Sequence, residues 1–431
     1  MHIGTVRTAL FNYLYAKQHK GTYFVRIEDT DKERNKEEWV DAIWQDFEWC
    51  GLPPDAKYRT SERLERHVAL LHTLVEAGKA YLSKEPKKDD PSQTAEVVRL
   101  KNPNTNLTFH DLIRGDITFD TTELGDFVIA RSLQDPLYHF AVVADDGDAG
   151  VTHVLRAEEH ISNTPRQILI LEALGFKRPL YAHFPLILAP DRSKLSKRKH
   201  GASIENYRAQ GFIPAAIINY LALLGWNPGG EQELFTLDEL VERFSLERVH
   251  KAGAVFDIEK LKWFNHEHLK RLSALEYAVQ LKQFMEEHKG GHGEHAPDYL
   301  IDIVPELQAR AQTLGEAVEA LRTGEFAFME SDISVDALLL LEGAKTDALA
   351  VKKHLEKLLE LFATIPTEAF TKDAVKEAVF PYATEVGRSA VLWPMRTALS
   401  GKEKSPDPFT LAALVGKEKT LERIEQALQI L

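Results

Sequence analysis

Thr22 to Asp31 reads TYFVRIEDTD. Tyr23 to Ile27 has the aromatic and β-branched content of a strand. Glu28-Asp29-Thr30-Asp31 then falls at the strand's C-terminal end. In an open α/β sheet that edge is where ligands sit. Three carboxylates on one short turn suit a substrate ammonium or the cap of the next helix. Capping alone accounts for Thr30 or Asp31, and less easily for Glu28 and Asp29. The helix expected next, Lys32 to about Cys50, is amphipathic, with Trp39, Ile43, Phe47 and Trp44 as its core side. A second helix, Ser61 to Ala77, follows.

Toward the N-terminus, Val6, Leu10, Tyr13 and Leu14 recur at helical spacing, which predicts a helix from about Thr5. His2-Ile3-Gly4 sits at its start. Gly4 lets a ligand approach the backbone, the free amides there attract phosphate, and a histidine beside them can hydrogen-bond it.

Toward the C-terminus, residues 79–125 change character. Lys84 to Ser92 reads as a loop and Leu107 to Phe119 as short strands, so the segment looks like an insertion between two halves of a sheet domain. Asp126 to Arg131 and Tyr138 to Ala144 read as buried strands separated by a turn at Gln134-Asp135-Pro136. Val151 to Leu155 is a further β-branched run. It ends in Arg156-Ala157-Glu158-Glu159-His160, and Asn163-Thr164-Pro165 opens a helix to about Gly175. An arginine at such a junction can clamp a carboxylate bidentately; a surface salt-bridge cluster would look the same.

Leu188 to Ser203 reads LAPDRSKLSKRKHGAS. From Asp191 to His200 it holds five cationic side chains and one acidic one, against a formal net charge of -13 for the chain. Lys194 and Lys197, with Ser196 between them and Gly201 beyond, suit a loop that brings ammonium groups onto a triphosphate as pyrophosphate leaves. The plainer alternative is a solvated basic turn.

Helices are expected over Pro214 to Leu224 and Leu237 to Phe244. Phe256 to Asn265 mixes Lys260, Lys262 and Trp263, which suits either a phosphate-tracking surface or a plain helical one. His288 to Pro297 (HKGGHGEHAP) reads as a linker or loop tip, its histidines solvated rather than ligating. From about Asp298 the pattern is helical.

At 431 residues the chain requires more than one domain. No apolar run is long enough to span a bilayer, and the N-terminus lacks the pattern of a signal peptide. Cys50 is the only cysteine, which excludes an internal disulfide and a cysteine-based zinc site and fits a reducing cytoplasm.

In this order the pieces closely resemble the bacterial glutamyl-tRNA synthetases, class I aminoacyl-tRNA synthetases, over nearly the whole chain. His2-Ile3-Gly4-Thr5 resembles the HIGH-type signature. Arg26 to Asp31 (RIEDTD) and Arg156 to Gln167 (RAEEHISNTPRQ) resemble segments specific to the glutamyl branch. Lys194 to Arg198 (KLSKR) resembles the KMSKS-type loop. Trp393 to Gly401 resembles a stretch of the anticodon-binding domain.

The resemblance implies an α/β Rossmann-type catalytic domain with an inserted acceptor-binding subdomain, followed by an all-α anticodon-binding domain. The expected bounds are 1–78 and 126–203 for the catalytic halves, 79–125 for the insertion, 204–297 for a stem-contact region and linker, and 298–431 for the anticodon domain. It implies ligation of L-glutamate to tRNA-Glu through a glutamyl-adenylate, with ATP as substrate, Mg²⁺ alongside it, and activation that requires bound tRNA. His2 and Lys197 would stabilise phosphate charge, supported by Lys194 and Ser196. Gly4, Glu158 and Glu159 would line the ATP pocket. Glu28 would face the substrate ammonium, and Arg156, beside Tyr138, its side-chain carboxylate. No zinc is expected, tRNA-Gln is a second candidate substrate, and a cytoplasmic monomer is the usual form.

Three features depart from the family pattern. Relatives carry about ten residues ahead of the histidine, a strand and turn of the type R-x-A-P-S-P-T-G, whereas this chain starts at Met1. We take this as a start assigned late rather than as a crippled enzyme; a catalytically impaired tRNA-binding paralogue is the alternative. The inserted segment is short. Val142 stands where some relatives place a polar residue. Glutaminyl-tRNA synthetase is disfavoured by the helical C-terminal half. The queuosine-modifying paralogue is disfavoured by the presence of that half, and a small nucleotidyltransferase by length.

Overall fold

The computed structural model describes residues 1–29, 36–86, 92–196, 201–288, 296–330 and 333–431. Thr30, Asp31, Lys197, His292 and His295 lie outside the described residues.

Two β-α-β units carry the first half of the chain. After helix α1 (Ile3–Gln18), strand β1 (Phe24–Ile27) leads through α2 (Glu37–Trp49) to β2 (Ala56–Arg59), and β1 and β2 pair in parallel with Phe24 opposite Ala56. Parallel neighbours need such a crossover because the chain must return to the same edge. On α2 the buried residues are Val40 and Phe47, whereas Trp39 is 53% exposed. The expected apolar face was therefore mis-phased: Trp39 lies outside, with the Lys36 ammonium 5.6 Å from its ring centroid.

Helix α3 (Leu64–Glu76) then runs into a stretch of antiparallel strands: β3 (Ala80–Pro86), β4 (Thr94–Leu100), β5 (Asn106–Asp111), β6 (Gly115–Asp120), β7 (Val128–Ser132) and β8 (Asp135–Pro136). They divide between two sheets. One has the order β3-β4-β7-β8 and so extends from residue 80 to 136. The hairpin β5–β6 instead joins the second β-α-β unit, which consists of β9 (His153–Ala157), α5 (Thr164–Leu174) and β10 (Leu180–Phe184). That sheet has the order β6-β5-β10-β9, with β9 and β10 parallel and Tyr181 opposite Asp111.

Between β8 and β9 in the chain lies α4 (Tyr138–Asp148). The expected strand over Tyr138 to Ala144 is thus a helix. A short apolar run does not distinguish the two by period. The outcome follows from what comes next: Asp145, Asp146 and Asp148 continue the helix and are held by Arg26, Arg63, Arg66 and His67. Phe140, Val143 and Ala144 on α4 pack with Leu71 and Leu74 of α3, Phe109 of β5 and Ile168 of α5 as one core, and Val142 packs against its edge.

The chain continues through β11 (Ile187–Leu188), α6 (Ile204–Ala209), α7 (Pro214–Leu223), α8 (Leu237–Arg243), β12 (Ala254–Val255) and α9 (Ile258–Lys270), with β11 and β12 paired in parallel. Contacts divide the chain into Met1–His268 and Leu269–Leu431.

The second unit is helical throughout its described elements, from α10 (Ala274–Glu287), α11 (Leu300–Arg310) and α12 (Leu314–Arg322) to α13 (Ala337–Glu342), α14 (Ala348–Ala363), α15 (Lys372–Val386), α16 (Arg388–Ser400) and α17 (Pro408–Ile430). Ser273, Thr313, Asp347, Thr371 and Asp407 each accept a helix N-terminal N–H, as good caps do. The Gly401 that ends α16 has φ 66°, and a Cβ there would meet the Ser334 carbonyl at 2.9 Å. A glycine is what that turn permits.

Candidate active site

His2 caps α1. Its backbone is extended (φ -79°, ψ 141°), and Nδ1 accepts from the Gly4 N–H at 3.0 Å. An accepting Nδ1 leaves the proton of the neutral ring on Nε2, the polarity that a phosphate oxygen requires. A Cβ at Gly4 would come within 3.0 Å of that Nδ1, so a side chain would crowd the cap.

The start of α1 is stitched to the residues that follow the lysine-rich stretch. The Ile3 N–H donates to the Ala202 carbonyl at 3.1 Å, and the Ile204 N–H to the Met1 carbonyl at 2.9 Å. The other side of the stretch is held as a tight turn: the Leu195 N–H donates to the Ile187 carbonyl at 3.1 Å, and the Ala189 N–H to the Ser193 carbonyl at 2.8 Å. Asp191 closes that turn by accepting from the Ser193 N–H and hydroxyl at 2.8 and 2.6 Å. His2, Gly4, Lys194 and Ser196 consequently line one cavity of about 650 Å³, together with Arg156 and Glu159. Lys194 pairs with Glu159 at its rim.

Glu158 does not line that cavity; it supports the wall. Its Oε1 accepts the Leu186 N–H at 2.9 Å and its Oε2 accepts from Arg114 Nη2 at 2.5 Å. Arg7 holds the same connection between β10 and the next strand, at Pro185. It is 2% exposed and donates to the carbonyls of Leu224, at 3.0 Å, and Pro185. Burial pushes its guanidinium down to about 10, so it remains charged at neutral pH.

Arg156 emerges near the end of β9. Its Nε donates to His183 Nε2 at 3.1 Å and its Nη2 to Thr164 Oγ1 at 2.8 Å. Among the described residues no carboxylate forms an ion pair with it, and Nη1 has no hydrogen-bond partner. Burial pulls its pKa down, offset in part by the fields of Tyr181 and Tyr138. A half-buried guanidinium that lines a cavity, with the carboxylates of Asp146 and Asp111 acting on it only from beyond contact, is a site for an anionic ligand.

Tyr138 connects this arginine to the RIED turn. Burial raises its phenol pKa; Arg156 and Arg26 lower it, and Glu28 and Asp146 raise it. Glu28, Arg26, Tyr138 and Arg156 therefore share one electrostatic neighbourhood, with Arg156 also in the cavity of His2 and Lys194. The arrangement offers donors for a polyanion at one end and a mixed-charge recess for a small zwitterion at the other.

The sequence reading missed Arg7, Asp111 and His183. Arg7 had a signal: it sits at i−3, i−4 and i−7 from Leu10, Phe11 and Leu14, a charge on the buried face. Asp111 and His183 had none, because their meaning depends on each other.

Comparison with known proteins adds the family. Residues 1–89 and 82–263 match the family described as tRNA synthetases class I (E and Q), catalytic domain, and residues 266–428 match the family described as anticodon binding domain. The chain is 36% identical over 486 residues to a protein named glutamate--tRNA ligase from Desulforudis audaxviator, covering 99% of this chain and 94% of that one. It is 38% identical over 475 residues to one of the same name from Carboxydothermus hydrogenoformans, covering 98% and 96%. Among solved structures it is similar to a glutamate tRNA ligase from Elizabethkingia meningosepticum, in complex with its amino acid, with a TM-score of 0.83 at 29% identity, over 100% of this chain and 97% of that one.

Proposed function

The chain belongs to the glutamate–tRNA ligases of class I, and on that premise we propose how its cleft joins glutamate to tRNA. The ligation proceeds in two steps. A glutamate α-carboxylate oxygen attacks the α-phosphorus of ATP, the bond to the bridging oxygen breaks, and pyrophosphate leaves. A terminal ribose hydroxyl of tRNA then attacks the acyl carbon of the adenylate and AMP leaves. The protein supplies little covalent chemistry to either step, so its contribution is positioning and electrostatics.

The observation that carries the assignment of roles is Arg156, a half-buried cation in the cavity wall with no described carboxylate in ion-pair contact. In this reading Arg156 receives the side-chain carboxylate of glutamate, with Tyr138 beside it, and Glu28 receives the ammonium. Nε2–H of His2 and the Gly4 backbone meet the phosphates, joined by Lys194, Ser196 and Lys197. Glu159, the cavity's carboxylate among the described lining residues, suits a Mg²⁺ that takes its other ligands from triphosphate and water. Such an ion would neutralise charge on the departing pyrophosphate.

The helical unit binds the anticodon end in this reading, and tRNA-Glu is the substrate, with tRNA-Gln to be tested beside it. A cytoplasmic monomer fits a chain in which no described helix is long and apolar enough to cross a membrane. The idea of a catalytically impaired tRNA binder draws no support from relatives that carry the ligase name.

The test is ATP-dependent charging of purified tRNA-Glu and tRNA-Gln with labelled glutamate, with Arg156→Ala alongside. Charging that needs Arg156 supports the reading. Full activity in Arg156→Ala would remove the carboxylate role, and no charging by the parent chain would favour the tRNA-binding alternative.

A further inference from the structure

Asp111 and His183 are fully buried, and both lie outside the cavity that takes substrates. The Asp111 carboxylate has every position occupied. Oδ1 accepts the N–H groups of Ile113 and Arg114 at 3.0 and 2.9 Å. Oδ2 accepts the His183 N–H at 3.0 Å and meets His183 Nδ1 at 2.6 Å. Those contacts hold the carboxyl below its ordinary pKa against the opposing effect of burial. An ionised carboxylate only accepts, so Nδ1 must carry the proton of the His183 ring. Nε2 then presents a lone pair, and Arg156 Nε donates to it at 3.1 Å. With the other tautomer, two N–H groups would face each other across that gap.

We propose that Asp111 and His183 are positioning residues for glutamate recognition. Asp111 fixes the tautomer of His183, and His183 fixes the plane of the Arg156 guanidinium. Arg156 is thereby fastened along one edge by His183, by Thr164, whose hydroxyl also meets His183 Nε2 at 3.2 Å, and by the His160 carbonyl at 3.4 Å, which leaves Nη1 for a ligand. The inference rests on the reading of Arg156 as the partner of the glutamate side chain. It adds that the geometry of that partner is set from the tip of the β5–β6 hairpin, in the segment inserted between the two β-α-β units. A guanidinium that can rotate about its stem no longer holds Nη1 in place for a carboxylate oxygen.

Asp111→Asn separates this role from simple packing. The single amide oxygen is claimed by the Ile113 and Arg114 N–H groups, so the NH₂ faces His183 Nδ1 and drives the ring proton to Nε2, against Arg156. His183→Gln carries an oxygen acceptor at the reach of Nε2, and His183→Leu carries none.

The experiment is steady-state pyrophosphate exchange in the presence of tRNA, with glutamate and ATP varied separately. Asp111→Asn and His183→Leu are expected to raise the glutamate KM about tenfold or more, the scale of one charged hydrogen bond, with the ATP KM changed less than about twofold. His183→Gln should recover most of the loss. In an Arg156→Ala background, Asp111→Asn should add no further rise. If Arg156→Ala itself leaves the glutamate KM unchanged, the premise fails and the inference with it. If Arg156→Ala raises it and His183→Leu does not, the inference alone is overturned. Parallel rises in both KM values for His183→Leu and His183→Gln would make the pair merely structural, and would also overturn it. Should Asp111→Asn fail to fold, the two His183 variants carry the same decision.

Discussion

Arg7 and Leu224 are joined by a 3.0 Å hydrogen bond from the guanidinium Nη1 to the carbonyl, inside a protein core. The same side chain also donates to the Pro185 carbonyl, and it packs 5.4 Å from the Phe184 ring centroid. One cation on α1 thus satisfies two loop carbonyls that no regular element pairs. Removing it strands both acceptors and empties the space. Arg7→Ala should lower unfolding stability by about 2–4 kcal/mol. Arg7→Lys, with a single nitrogen, should recover only part of that. Urea denaturation of the whole chain measures both; a change below about 0.5 kcal/mol for Arg7→Ala would contradict this account.

Glu158 gives a different expectation from its neighbour Glu159. Its carboxylate holds the Leu186 N–H and Arg114, so it shapes the base of the lysine-rich turn without lining the cavity. Glu158→Gln keeps an acceptor for Leu186 but puts an amide against the guanidinium. The ATP KM should rise by about three- to tenfold, as expected for a weakened charge-assisted contact. An unchanged ATP KM with a tenfold change in glutamate KM would relocate the residue's influence.

The Lys194–Glu159 pair is half open to solvent, with side chains 60% and 40% exposed. Pairs of that kind contribute little to folding. Lys194→Ala should therefore leave the unfolding midpoint almost unchanged while slowing pyrophosphate exchange by about tenfold or more, the scale for loss of one donor to developing charge. A large stability loss without a rate loss would mark the lysine as structural.

Cys50 supplies a pH-dependent test. Burial, with help from the Asp46 carboxylate, pushes its thiol up to about 12. The native state keeps that proton where the unfolded chain, with an ordinary thiol near about 8.5, releases it. The stabilisation is complete below the unfolded value and is lost as pH rises toward the folded one. Stability should fall by at most about 1.4 kcal/mol per pH unit between those values from this group. Cys50→Ala should show a shallower decline from pH 8 to 10 in denaturation midpoints. Identical slopes in the two proteins would refute the assignment.

How legible all this was depended on the range of each interaction. The strands ending at Ile27 and Ala157 were readable because a β-branched run passing into charged residues is a local pattern. Glu28 and Arg156 came with them. Helix α4 was not readable from Tyr138 to Ala144 alone; its aspartates find Arg26, Arg63 and His67 on other elements. Hydrophobicity alone points Trp39 at the core, whereas the phase of α2 is set by Val40 and Phe47. Asp111 was one acidic residue in a short strand, and nothing near it in sequence announces a histidine 72 positions away.

That separation has a consequence for the order of assembly. Asp111 ends β5, whose parallel neighbour β10 is made much later in synthesis. A two-stranded hairpin is marginal in isolation, and the Asp111 carboxylate has its imidazole partner only after His183 has left the ribosome. At about 5–20 residues per second, the hairpin waits several seconds with its docking edge open. During that interval the acceptor that orients Arg156 does not yet exist, so the Arg156 guanidinium takes up its fixed plane only after β10 is in place.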